Sequence, residues 1–350
     1  MGKSCRDKRN EGHHNQRMTI TTLKAAPHLH SKTLLLIENA FHYEKDNHFS
    51  VDFAPLLNER NFHNCFIKID QDENVIAHIG VCEKEILGFP MAMLGGIAVD
   101  ESHRGEGHFQ ELMTFVLSEK KSDVAFILLW SDQEKLYKKF GFHLCGTQIE
   151  VDQTVGEKNF YKTKLNQLNE KQLNDLKLLY RQSFQSIYTT IERTDEHWQQ
   201  LSEITSADLY YQEDDQKMTS YFFMNKGQDL DGIIFEYGTV DEISSFITKI
   251  SSYGKVWLGS DLLTPKSIQY QFFMAIGSTR IFSQFIKKYT RDLVIIRDIN
   301  SMKQVIYFDF QEETLELAIN DFLLGLFGPG IFEEMESDIK PIFISGIDSI

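Results

Sequence analysis

Cysteine is scarce in this chain and never paired. Cys5, Cys65, Cys82 and Cys145 stand singly with no Cys-x-x-Cys spacing, so neither a zinc site nor a disulfide framework is indicated and buried free thiols are expected. Long apolar runs are also missing. None approaches the roughly 18 residues that span a bilayer, and the N-terminus is polar where a signal peptide is hydrophobic; a cytoplasmic protein without a membrane partner is therefore expected. Positive charge is in deficit, with 36 Lys and Arg against 51 Asp and Glu and a net charge of −15. An acidic body disfavours polyanions, so no nucleic-acid partner is expected. It would favour a cationic amine by steering, although ordinary solubility accounts for it equally. What the chain does have is 42% apolar and 12% aromatic residues over 350 positions. That is a folded protein with room for two domains.

Residues 95–112, GGIAVDESHRGEGHFQEL, organise the reading. A small, apolar strand end is followed by a polar turn and then by Arg104-Gly105-Glu106-Gly107. From His108 the pattern is helical, with Phe109, Leu112, Met113 and Val116 spaced three and four apart. A helix N-terminus opened by glycines leaves unpaired N–H donors and a partial positive charge, which suit a pyrophosphate. Such a turn also serves merely to join a strand to a helix. Farther on, residues 124–130, VAFILLW, read as a buried strand, and SDQEKLYKKFGF as a short helix.

This pair of segments resembles the GNAT family of acetyl-CoA-dependent N-acetyltransferases. The resemblance implies an α/β (α+β) fold, a mixed central sheet flanked by helices, and acetyl-CoA as co-substrate. Arg104 falls on the first position of the family's phosphate signature, Gly105 on its usual next glycine and Gly107 on its central one. Phe109 departs from the final Gly or Ala, so the last phosphate contact would come from its backbone. The amides of Arg104, Gly105, Glu106, Gly107, His108 and Phe109 would then hold the pyrophosphate. The backbone of Ile97, Ala98 and Val99 would pair with the pantetheine arm, and the Val99 N–H would polarise the thioester carbonyl. Tyr137 matches the tyrosine that protonates the departing thiolate; without the resemblance it reads as a half-buried helix aromatic. Ser131 and Asp132 stand where many relatives carry asparagine.

In chain order, residues 1–18 read as a disordered tail and 19–150 as the acetyltransferase domain. Residues 34–41 open a helical region, 62–69 and 74–83 are strand-like, and 85–93 lead into the central strand. His78 sits mid-strand, where it could face the thioester or be satisfied within the sheet. After the polar connection that begins at residue 151, Asn169 caps a helix, a second helix covers 196–204, and strands follow at 208–212, 219–224 and 232–237. A helix over 241–252 and a strand over 255–259 complete the order of a second, degenerate GNAT-like domain, placed at 165–350. Strands over 293–297 and 304–310 precede a helix over 312–327, and the apolar end, PIFISGIDSI, is expected to dock.

An alkyl amine with a pKa of about 10 needs a proton acceptor before it can attack. No carboxylate in the first domain stands out for this. The layout also resembles the enhanced-intracellular-survival type of acetyltransferase, which implies the terminal carboxylate of Ile350 as the base. The function expected is acetyl transfer to a primary amine in a ternary complex. The alternatives are a non-catalytic acyl-CoA-binding protein and a tandem-domain aminoacyl-transferase; tRNA would require a basic face in the latter.

Overall fold

The computed structural model describes residues 20–43, 47–263, 265–328 and 339–350; the expected N-terminal tail lies outside them. The first half contains β1 (Thr21–Lys24), α1 (His30–Ala40), the single-turn helices α2 (Phe49–Asp52) and α3 (Ala54–Leu57), β2 (Cys65–Ile69), β3 (Val75–Ile86) and β4 (Phe89–Val99). Helix α4 (His108–Lys120), β5 (Phe126–Leu129), α5 (Glu134–Tyr137) and β6 (Phe142–Val151) follow. Leu87 and Gly88 both take positive φ, 52° and 71°, which is the geometry that turns β3 tightly into β4. The spacing seen in α4 does its expected work: Leu112, Met113, Val116 and Leu117 are buried against Ala77, Ile79, Ile127 and Leu129 of the sheet.

The second half contains β7 (Tyr161–Thr163), α6 (Glu170–Leu179), α7 (Gln185–Ile187), α8 (Asp195–Leu201), β8 (Asp208–Asp214), β9 (Lys217–Met224), β10 (Ile233–Thr239), α9 (Ile243–Ile250) and β11 (Lys255–Leu258). Asn169 caps α6 as expected. Its side chain accepts from the Gln172 N–H at 2.9 Å while Gln172 accepts from the Asn169 N–H at 3.2 Å, a reciprocal capping box. Three antiparallel strands, a helix and a parallel strand recur in both halves: β10 pairs with β11 in parallel as β4 does with β5.

The chain beyond β11 departs from expectation in two places. Residues 260–292, which show no expected element, carry β12 (Ser267–Ile276) and α10 (Thr279–Tyr289). The expected helix over 312–327 is instead strand β15 (Glu313–Ala318) followed by helix α11 (Ile319–Phe327), after β13 (Val294–Asn300) and β14 (Val305–Phe310). Leu315 and Leu317 are the half-buried positions of β15, between exposed neighbours. This two-residue period is a strand signal, and the acids there belong to its solvent face.

Strand β12 does not close a sheet of its own half. It runs antiparallel to β5, with Phe273 opposite Leu129, and antiparallel to β6, with Phe273 opposite Leu144. The other edge of β6 pairs with β11, Leu258 opposite Ile149. Each half thus sends its last strand into the other, and among the described residues the result is one sheet of twelve strands beside the three-stranded sheet β13-β14-β15. The C-terminal segment does dock: Ile342, Phe343, Ile344 and Ile347 are buried. Arg193 donates to Asp348 at 2.7 Å and to Glu236 at 2.9 Å, all three side chains fully buried. The guanidinium also lies 4.0 Å from the Tyr180 ring and 4.6 Å from Trp198. Burial alone would raise the Asp348 carboxyl; the Arg193 charge overrides this and holds it well below the usual range.

Residues 20–152 expressed alone should not fold cooperatively, because β5 and β6 would face each other across the gap left by β12. Thermal unfolding followed by circular dichroism checks this; a sharp transition for that fragment would contradict the shared-sheet account.

Candidate active site

The site begins where two parallel strands part. Residues 92–94 of β4 pair with 127–129 of β5, and beyond Leu94 no partner among the described residues continues the ladder. A register shift between His78 and Gly80 on β3 places an extra residue in β4 at this point, and Gly96 there takes φ 57°. The bulge bends β4 away from β5. The Asp100 N–H donates to the Ile76 carbonyl on β3 at 2.9 Å. By alternation, the Val99 N–H points off the opposite, open edge. Ala98, one residue earlier, pairs with His78 on β3.

His78 explains the bulge. It is fully buried, and burial holds its pKa down to about 4, so the ring is neutral. Its Nδ1 lies 2.6 Å from the Gly96 carbonyl and donates there, leaving Nε2 buried without a partner among the described residues. Within the sheet the ring is thus held through Nδ1 alone.

The glycine turn follows directly. Asp100 accepts from the Ser102 N–H at 2.9 Å and closes a short 3-10 turn, after which Gly105 and Gly107 take φ 83° and 91°. A Cβ on either would meet nothing within 4 Å among the described residues, so conformation rather than crowding favours glycine. Gly107 is the N-cap of α4 and supplies no side chain to its first turn. The leading N–H groups of α4 are therefore uncapped at a helix start that faces outward.

The strand edge and the turn open on one cavity of about 690 Å³. On this side it is lined by Gly95, Gly96, Ile97, Ala98, Val99, Arg104, Phe109 and Tyr137. Gly105, Glu106, Gly107 and His108 are not among its walls; the Glu106 and His108 side chains meet each other at 3.1 Å. Tyr137 is 6% exposed. Burial raises its pKa, a hydrogen bond with Ser131 pulls the other way, and Asp132 adds to the rise; the phenol keeps its proton at neutral pH. Phe109, where a small residue was expected, stands edge-on to Tyr137 at 5.8 Å and to Phe140 at 5.6 Å. The bulky residue thus buttresses the tyrosine. From the other half, Phe273 of β12 packs on the same ring at 5.9 Å.

The far wall comes from segments distant in sequence: Phe41, Phe49 and Phe53, then Lys226, Asp229 and Trp257, then the C-terminal segment. A Cβ on Gly95 would stand 2.7 Å from the backbone carbon of Ile350. Only glycine lets that residue lie against the strand. Lys226 is 1% exposed, donates to the Gly346 carbonyl at 2.9 Å and to Ser349 Oγ at 3.3 Å, and lies 4.6 Å over the Phe53 ring. Burial lowers its pKa to about 7 against the attraction of Asp348 and Asp52. Of these lining residues the sequence analysis singled out Ile350 and not Lys226, Gln148, Trp257 or Gln271. No local pattern marks them, since they meet only through the exchanged strands.

Among the described residues no group of His, Cys, Asp or Glu is placed to hold a metal ion, and no helix is long and apolar enough to cross a membrane.

A splayed parallel strand pair leading into a glycine turn at a helix start defines a protein of the acyl-CoA N-acyltransferase fold. Residues 24–145 match the acetyltransferase (GNAT) domain, so the first half of the chain carries a domain of that family. Comparison with curated proteins gives no match. Among solved structures, the chain is similar to a GCN5-related N-acetyltransferase from Anabaena variabilis, with a TM-score of 0.57 at 15% identity over 95% of this chain and 100% of that one. It is also similar to Eis1 from Mycobacterium abscessus, with a TM-score of 0.54 at 9% identity over 91% and 92%. N-myristoyltransferase from Saccharomyces cerevisiae, solved with myristoyl-CoA bound, gives 0.50 at 11% over 73% and 79%. At these identities the likeness is one of fold.

The unfolded lysine keeps its proton to about pH 10.5 and the folded Lys226 releases it near 7. Between those values the unfolded chain holds more protons, so this group makes stability rise with pH. Lys226→Met should flatten that rise, read from urea unfolding at pH 7 and pH 9; an unchanged slope would assign it to another group.

Proposed function

We propose that this protein is an acetyl-CoA-dependent N-acetyltransferase that acts on a primary amine by direct attack in a ternary complex. Residues 19–150 are assigned as the acyl-transfer domain and 165–350 as the half that shapes the acceptor side. The observation that carries the reading is the coincidence, in one cavity, of the open β4 edge, Arg104 and Phe109 from the two ends of the glycine turn, and the protonated Tyr137.

In this reading the amides of Arg104, Gly105, Glu106, Gly107, His108 and Phe109 take the pyrophosphate. Ile97 and Val99, with Ala98 between them, present the open edge to the pantetheine amides as a strand would. The Val99 N–H polarises the thioester carbonyl. The amine nitrogen attacks the carbonyl carbon, the carbon–sulfur bond breaks, and the CoA thiolate takes the Tyr137 proton. The proton lost by nitrogen goes to the Ile350 carboxylate, which lies beside Gly95. A thioester is already activated, so positioning and two proton transfers suffice.

Isothermal titration with acetyl-CoA should show binding by the native chain that weakens at least about a hundredfold in Gly107→Glu, roughly 3 kcal/mol, because a carboxylate then stands where the pyrophosphate sits. Tyr137→Phe should bind acetyl-CoA unchanged yet lose about 10²-fold or more in kcat. Unaltered turnover would remove Tyr137 as the acid, and absence of binding by the native chain would remove the reading itself.

A further inference from the structure

Two glutamines lie on the cavity wall on neighbouring strands, and they differ in what holds them. Gln271 on β12 is 7% exposed; its amide donates to the Ile344 carbonyl at 2.8 Å and accepts from the Ile344 N–H at 3.1 Å. It ties the C-terminal segment to the sheet. Gln148 on β6 is 6% exposed and lines the same cavity. Its amide has no hydrogen-bond partner among the described residues. Two donors and an acceptor on a side chain more than nine-tenths buried are thus left for whatever enters. Trp257 on β11 also lines the cavity, and its indole Nε1 is buried without an acceptor among the described residues. Both groups are neutral.

The surrounding wall is apolar. Phe41, Phe49, Phe53, Trp130 and Leu230 contribute to it. The only carboxylate side chains among the described lining residues are Asp132, in the segment before Tyr137, and Asp229, and the Lys226 ammonium sits between the wall and the tail. The net charge of −15 therefore has little counterpart inside the cavity. Counting the Ile350 carboxylate, a polycation would find three acids there against Lys226 and Arg104.

We propose that Gln148 is the specificity-determining residue of the acceptor side, and that the amine it selects carries an apolar body of aromatic size bearing one neutral hydrogen-bonding group, with Trp257 as a second donor. The inference rests on the acyl-transfer reading and names the substrate class for that site. Burial is what gives the pair its selectivity. A ligand that lacks the polar group leaves the Gln148 amide unpaired in an apolar site, and a site built to hydrogen-bond discriminates strongly against such analogues. A ligand with several charges must lose its hydration against aromatic rings.

The test measures thiol release from acetyl-CoA with four probe amines: tyramine, phenethylamine, spermine and kanamycin. Tyramine should exceed phenethylamine by about tenfold or more in kcat/KM, and both aromatic amines should exceed the two polycations. Gln148→Leu should cost tyramine about tenfold while leaving phenethylamine within about twofold. Gln148→Met should do the same, and titration with CoA checks that each variant retains the folded cavity. Trp257→Phe keeps the ring and removes only the N–H, giving an independent reading in the same direction even if the Gln148 variants do not fold. Preference for spermine or kanamycin, or a tyramine-to-phenethylamine ratio unmoved in the variants, would overturn this inference and leave acyl transfer standing. No thiol release with any of the four amines would overturn the acyl-transfer reading instead.

Discussion

The pairing of β12 between β5 and β6 is the constraint on which the rest of the molecule depends. In a parallel pair such as β4 and β5 only a short ladder holds the strands together, and here it ends after Leu94. The opening survives because β5 is fixed on its other edge by β12, a strand that arrives from the second half. The same crossing carries Phe273 against Tyr137 and Gln271 against Ile344. Backbone hydrogen bonds that cannot be left unmade in a sheet interior thereby also set the positions of the groups around the cavity.

Within the first half, one local device turns an ordinary strand into a binding edge. The extra residue in β4 would be unstable if nothing held the displaced carbonyl. His78 does so from the adjacent strand at 2.6 Å, and its neutrality comes from burial. Gly95 completes the device from the other side, since its missing Cβ leaves room for Ile350. A buried histidine and a glycine thus belong to one arrangement: the first bends the strand and the second lets the C-terminal segment reach it.

That segment is fixed by charge as well as by apolar burial. Arg193 joins Glu236 and Asp348 with no exposed side chain among them. Such a cluster contributes little net stability compared with apolar packing, but each member becomes indispensable once the others are buried. Its effect here is to specify where the tail lies. Lys226 adds a second hold nearer the cavity through Gly346 and Ser349. The far side of the cavity is consequently a wall of fixed shape, assembled from β6, β11, β12 and the tail.

Much of this was legible in the residues. The glycine turn, the periodicity of α4, the apolar run of β5, the Asn169 cap and the order of elements from β8 to β11 all depend on neighbours a few positions apart, and local physical chemistry determines them, whereas β1, β6 and β7 carried no such signal. Tyr137 could be singled out only through the family resemblance, since by itself it reads as a half-buried helix aromatic. Two segments were misread for local reasons as well: the acids of β15 suggested a helix start although Leu315 and Leu317 alternate as in a strand, and β12 went unrecognised. What only the tertiary structure decided is the exchange of final strands, and with it the meeting of Gln148, Trp257, Lys226 and the tail. Register between strands more than a hundred residues apart is set by the whole core rather than by any window of sequence. The sequence by itself therefore determined the β4 edge and the glycine turn, built from one contiguous stretch, whereas the opposite wall of the cavity exists only once both halves have folded together.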